Sequence, residues 1–260
     1  DKPAHLRQFH KQREQNLEML KGQLKASGFA SFNGRLENYL DYETPKVNIP
    51  ITSQLNDKGR LDITLNMERD NFGHYHFSQY QATVLRDGES RSFNFQPDSK
   101  ITAMEAANLL DGRAVRKSLE TADGSHSQKW VQLDFKNRDA DGHPKLQEYH
   151  GGYAYDLKNE LLKLSVQAGI AGLAKDKIIQ SLEAGNKTVF DVREKGPYYL
   201  QANPAEQNLT MYDKDKKPLE IARLLKEIRQ PDKNQHKEIH LVKSQGKEPE
   251  QEQKQSFGIR

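Results

Sequence analysis

Arg113, Arg116 and Lys117 arrive together in the stretch NLLDGRAVRKSL at 108–119, and Lys129 and the sole tryptophan, Trp130, open the strand-like segment that follows. Cations beside an indole can serve single-stranded nucleic acid, with the charges following the phosphates and the ring stacking on a base. If 113–119 pairs with 129–135, Trp130 sits beside a basic strip. Arg35, in FNGRLENYL, would be the matching cation of an earlier segment. The bland alternative uses the same residues: a solvated charged strand face with Trp130 packed in a core. The sequence leaves both readings open.

Histidine offers a second chemistry. His74 and His76 lie two apart on a strand-like segment, so their imidazoles face one side. With His143 or His150 from a similar hairpin they are weak candidates for holding a metal, which needs further ligands at about 2 Å and an ordered outer shell. Solvated hairpin histidines are the plainer reading. HKEIH places His236 and His240 one helical turn apart, but the Glu does not follow the first His, so the zinc-protease pattern is absent. The carboxylate pairs Asp139/Asp141 and Asp213/Asp215 fall in charged turns, where Asp bonds its own backbone. No nucleophile elbow, phosphate-cradling glycine loop or dinucleotide fingerprint is present, and AGIAGLA around Gly169 reads as helix packing or a helix break. No catalytic residue and no cofactor is therefore expected.

Composition narrows the class further. Of 260 residues 34% are hydrophobic and 30% charged, and 40 basic side chains oppose 37 acidic ones. A net charge of +3 is too small to argue for nucleic acid by itself. The absence of cysteine removes disulfides, thiolate nucleophiles and cysteine zinc sites, and suits a cytoplasmic protein. The first residue is Asp1, not Met, which fits a processed product or a fragment. The most apolar stretch, LLKLSVQAGIAGLA at 161–174, is too short to span a bilayer, so no membrane partner is expected.

The elements that would position these groups are legible from periodicity. Asp1 and Pro3 suit a helix start, and Leu6, Phe9, Leu17, Leu20 and Leu24 form an apolar stripe up to a stop at Gly28, with Phe29 folding back. RLDITLNME alternates as a half-buried strand, and YHFSQYQATVL and RSFNF complete a meander through turns at Gly73 and Asp87-Gly88. Thr102 and Glu105 form a capping box for a short helix through Leu110. A hairpin over 129–150 follows. Then come a helix capped by Asp156, a short helix over 175–185, strands in 187–213, and a last helix ending at Pro231. From about 243 the composition predicts a disordered polar tail.

Three stretches share one grammar. ITLNMERDNFGH, VQLDFKNRDADGH and NLTMYDKDKKPL each run from alternating apolar positions into a charged turn. Upstream, Gly34, Gly112 and Gly185 each sit before a strand-like segment, as a turn of positive φ would require. Three divergent copies of a helix, glycine turn, strand and hairpin unit account for this. Ordinary helix-to-strand grammar accounts for it equally.

At Leu109–Val115, Gln132–Phe135, Tyr155–Leu157, Ala202–Pro204 and Met211–Asp213, in that order, the chain resembles a domain family of unknown function found on conjugative transposons and plasmids of Bacteroidetes. The likeness covers roughly residues 100–220, with 1–97 a more divergent stretch. It implies a setting, a multi-domain protein of a mobile element near topoisomerase-like or anti-defence modules, and carries over no catalytic residue.

The expected fold is therefore α+β. Antiparallel hairpin and meander units alternate with short helices behind an N-terminal amphipathic helix. The expected segments are 1–29 (helix), 30–100, 101–156 and 157–231 (three α+β units) and 232–260 (tail). The expected function is a non-enzymatic binding module of a mobile genetic element. DNA or RNA is the first partner, contacted through Arg35, Arg113, Arg116, Lys117, Lys129 and Trp130. A host or mobile-element protein is the alternative partner, and a metal-dependent enzyme using His74 and His76 the third reading.

Overall fold

The computed structural model describes residues 4–55, 58–120, 124–150, 155–192 and 197–229. The Asp1/Pro3 helix start, the His236/His240 pair and the polar tail lie outside them. The described residues form five α-helices and eleven strands in three antiparallel sheets, an α+β fold. No described helix is long and apolar enough to cross a membrane. The chain divides into two compact units that meet in sequence between Asp111 and Gly112.

Unit 1 opens with α1 (Ala4–Ala26). Asn16, Leu20 and Leu24 recur every fourth residue and are all buried, so they form its inner face. Phe9 of the expected stripe is 46% exposed and lies under the Arg13 guanidinium, 4.1 Å from its ring centroid. The helix stops as its sequence predicts: Gly28 takes φ +79°, and Phe29 donates its N–H to the Leu24 carbonyl at 2.7 Å and buries its ring against Tyr80. Residues 30–39 correct the sequence reading. They form two short 3₁₀ turns (Ala30–Phe32 and Leu36–Tyr39), and Gly34 between them has no positive φ. Phe32, Leu36 and Leu40 are buried, and their spacing of four suits turns of helix better than a strand.

The meander is β1 (Lys46–Gln54), β2 (Arg60–Arg69), β3 (Tyr75–Arg86) and β4 (Glu89–Phe95), in that order. Its buried face holds Ile49 and Ile51 of β1, then Leu61, Ile63, Leu65 and Met67 of β2. On β3 the buried set is Tyr75 and Phe77, then Tyr80, Ala82 and Val84, which breaks strict alternation. A bulge explains this: Met67 pairs with Phe77 and Asn66 with Gln79, so Ser78 is extra and its hydroxyl bonds the Asn66 carbonyl at 3.1 Å. One inserted residue keeps the aromatics on both sides of it turned inward. At the start of β3, Asn16 of α1 acts as a substitute strand. Its amide donates to the Tyr75 carbonyl at 2.8 Å and accepts the Tyr75 N–H at 3.0 Å. The unit ends with α2 (Ala103–Leu110), started by the capping box of Thr102 and Glu105 and packed on β3 and β4.

Unit 2 holds the three-stranded sheet β5 (Val115–Glu120), β6 (His126–Arg138) and β7 (Pro144–His150). Then come α3 (Leu157–Ala168) and α4 (Asp176–Glu183). The sheet of β8 (Thr188–Phe190), β9 (Tyr198–Asn203), β10 (Asn208–Tyr212) and β11 (Pro218–Leu219) follows, and α5 (Ile221–Arg229) closes the unit. Its core joins Trp130 to Leu157, Leu161 and Leu164 of α3, Leu182 of α4, Leu200, Ala202, Leu209 and Met211 of β9 and β10, and Leu224 of α5. Asp156 caps α3 by accepting the Asn159 N–H, and Gly169 ends it in the left-handed region at φ +65°.

Two parts of the repeated grammar recur in detail. The eight-residue helices α2 and α4 end alike. Asp111 and Ala184 sit near ψ 4° and 2°, Gly112 and Gly185 take φ +78° and +80°, and a strand starts three residues after each glycine. Three hairpin turns also share one frame. Asp70, Asp139 and Asp213 each accept, on one carboxylate oxygen, the N–H groups two and four residues on. Each also exchanges backbone bonds with the residues three and four on, and the residue three on, Gly73, Gly142 or Lys216, has positive φ.

Candidate groove on the three-stranded sheet of unit 2

The pairing anticipated from sequence forms, with Arg116 opposite Trp130 and Lys117 opposite Lys129. Strand alternation then splits the basic strip between two faces. Arg116, Trp130 and Tyr149 form one row across β5, β6 and β7, while Lys117, Lys129 and His150 form the next row on the opposite face. Val115, Val131 and Leu133 are buried on that opposite face.

Beside the first face a groove of about 330 Å³ opens to solvent, lined by Arg116, His126, Gln128, Trp130, Tyr149 and Tyr155, with His150 at its rim from the neighbouring row. Each wall has a local cause. His126, Gln128 and Trp130 alternate along β6, so they project to one side. Tyr149 is brought in by the β6–β7 register, and Tyr155 by the Asp156 cap that turns the chain into α3. Trp130 is 5% exposed and packs on Tyr155 with ring centroids 5.5 Å apart at 57°. It anchors the core and shows the groove only a margin of its ring. Burial pushes the Tyr155 phenol well above its ordinary range, partly offset by the Asn203 backbone.

Two of the cations here are held by carboxylates. The Arg116 guanidinium bonds Glu183 of α4 at 2.6 Å and the Gln128 amide oxygen. Lys129 bonds Glu148 at 2.6 Å, and His150 lies 3.3 Å from the same carboxylate. Arg113 precedes β5, with its charge acting on the Tyr212 phenol. Arg35 is exposed in unit 1, at the start of the second 3₁₀ turn.

His74 and His76 do converge, on a carboxylate. His76 Nε2 is 3.0 Å from Asp70 Oδ2 and His74 Nδ1 is 3.9 Å from it. His74 belongs to the turn and His76 to β3, so they do not share one strand face as expected. The His76 hydrogen bond, followed by the His74 N–H, pulls the Asp70 carboxyl down to about 2. His143 and His150 belong to the other unit. Among the described residues, Asp139, Asp141 and His143 bring one ligand atom each within 4.8 Å of one another on an exposed turn. Backbone hydrogen bonds led by the His143 N–H lower the Asp139 carboxyl.

Of the groove residues, sequence reasoning reached Arg116 and Trp130. It missed His126, Gln128, Tyr149 and Tyr155, and flagged His150 only as a metal ligand. The usable signal was alternation: once Arg116 is set opposite Trp130, every second residue of β6 and the partner on β7 follow.

No family model, curated protein or solved structure matches the chain.

Proposed function

We propose that this chain is a non-enzymatic binding module, in the mobile-element setting its resemblance implies, and that it contacts single-stranded nucleic acid through unit 2. The observation that carries this reading is the row Arg116–Trp130–Tyr149 beside a groove whose other walls are Tyr155, His126 and Gln128. Aromatic faces with hydrogen-bonding side chains around them suit unstacked bases, which a duplex does not offer. The pairing of Arg116 with Glu183 and of Lys129 with Glu148 argues against a phosphate-tracking strip of free cations.

The test is fluorescence anisotropy of labelled short DNA and RNA single strands, and of the matching duplex, across salt. Single strands should bind and the duplex should not. The log–log salt slope should be shallow, on the order of −1, since each phosphate neutralised on a single strand contributes about 0.7. Absence of single-strand binding at low salt removes the reading. A protein partner is the second reading, supported by Phe72, which stands 86% exposed at the tip of the β2–β3 hairpin.

A further inference from the structure

We infer that the groove of unit 2 is a pocket for one unpaired nucleobase, recognised by its ring more than by its phosphate. This deepens the single-strand reading and rests on it. Three observations converge. The volume, about 330 Å³, sits at the small end of ligand pockets and suits one planar ring with its sugar. The walls pair the aromatic surfaces of Tyr149 and Tyr155 with the Gln128 amide and the His126 imidazole. Such groups offer both donors and acceptors to the edge of a base. Finally, among the described residues the one guanidinium lining the groove is spent inside the protein, Arg116 on Glu183 and Gln128. A site built for a phosphate would leave a guanidinium or ammonium facing the ligand. This one leaves an amphipathic surface whose guanidinium is already held by a carboxylate of the protein.

The chain supplies its own reporter, because Trp130 is its sole tryptophan and borders the groove. The full chain is titrated with the four ribonucleosides, their 5′-monophosphates, ribose 5-phosphate and inorganic phosphate, with Trp130 emission as the readout. At least one nucleoside should change the emission saturably, its monophosphate should bind within about threefold of it, and the two phosphates without a base should do nothing. Tyr149→Ala should weaken nucleoside binding about tenfold or more, the scale of a lost base–aromatic contact. Gln128→Ala should change the ranking of the four bases, and Val166→Ala, on the outer side of α3, should change nothing. If Tyr149→Ala lowers the melting temperature, the Gln128→Ala ranking and the wild-type titration decide the matter.

Ribose 5-phosphate binding as well as a nucleotide, or no response to any nucleoside, overturns the pocket. Single strands that bind equally with and without an abasic residue overturn it too, while leaving single-strand binding intact. Nucleosides that bind where oligonucleotides do not would keep the pocket and remove the nucleic-acid reading.

Discussion

Replacing Asn16 tests how unit 1 holds its helix to its sheet. The side chain is 5% exposed, and both ends of its amide are used on one residue, Tyr75. Truncation to Ala leaves the Tyr75 N–H and carbonyl without that partner. An unsatisfied buried polar group costs about 1–3 kcal/mol. Two of them, next to a small void, should destabilise the protein by about 2–5 kcal/mol. Asn16→Leu fills the void yet abandons the same two groups, so it should lose nearly as much. Asn16→Asp keeps the acceptor, loses the donor and buries a carboxylate. Burial raises the folded-state pKa of such an acid, so its relative stability should be best at acid pH and fall as pH rises through that pKa. Urea denaturation followed by far-ultraviolet circular dichroism measures the series. Amide hydrogen exchange at Tyr75 should accelerate in the Ala and Leu variants. If Asn16→Leu lies within about 0.5 kcal/mol of wild type, with Tyr75 exchange unchanged, the amide is dispensable and packing by Leu20 and Leu24 holds α1.

Two further outcomes are expected. The Asp70 carboxyl is held at about 2 in the fold against an ordinary 3.8. Its contribution is therefore fully present above the ordinary value and lost as pH falls through about 2, and Asp70→Asn should flatten the stability profile over that window; equal profiles refute the role. Gly112 takes φ +78° with open space where a Cβ would stand, so Gly112→Ala should cost about 1–2 kcal/mol of pure backbone strain, and Gly112→Asn less, by thermal melting.

The sequence disclosed most of what local rules govern. The alternation of Leu61, Ile63, Leu65 and Met67, the Thr102 capping box and the Asp156 cap each needed only neighbours in sequence, and each stands where it was read. Gly34 misled because a glycine before spaced apolar residues fits a strand or a 3₁₀ turn, and only burial of Phe32, Leu36 and Leu40 decides. The strand β1 carried no reading. Pro50 sits inside it, and proline is tolerated there because β1 is an edge strand, a fact of sheet order. The groove was half legible for the same reason. That Trp130 and Arg116 are neighbours follows from pairing adjacent segments. That Glu183 neutralises Arg116 depends on α4, far along the chain, and no spacing rule reaches it.

The hairpin turns built on Asp70, Asp139 and Asp213 separate making a bend from displaying a side chain. Because one carboxylate fastens the bend, the residue at its crest is released from that task. The three crests carry Phe72, Asp141 and Asp215 on an identical frame. The frame works as a socket: crest residues can drift, or be exchanged by grafting, while strand register on either side stays fixed. One scaffold can thus acquire unrelated contact chemistries at three separate points without renegotiating its cores.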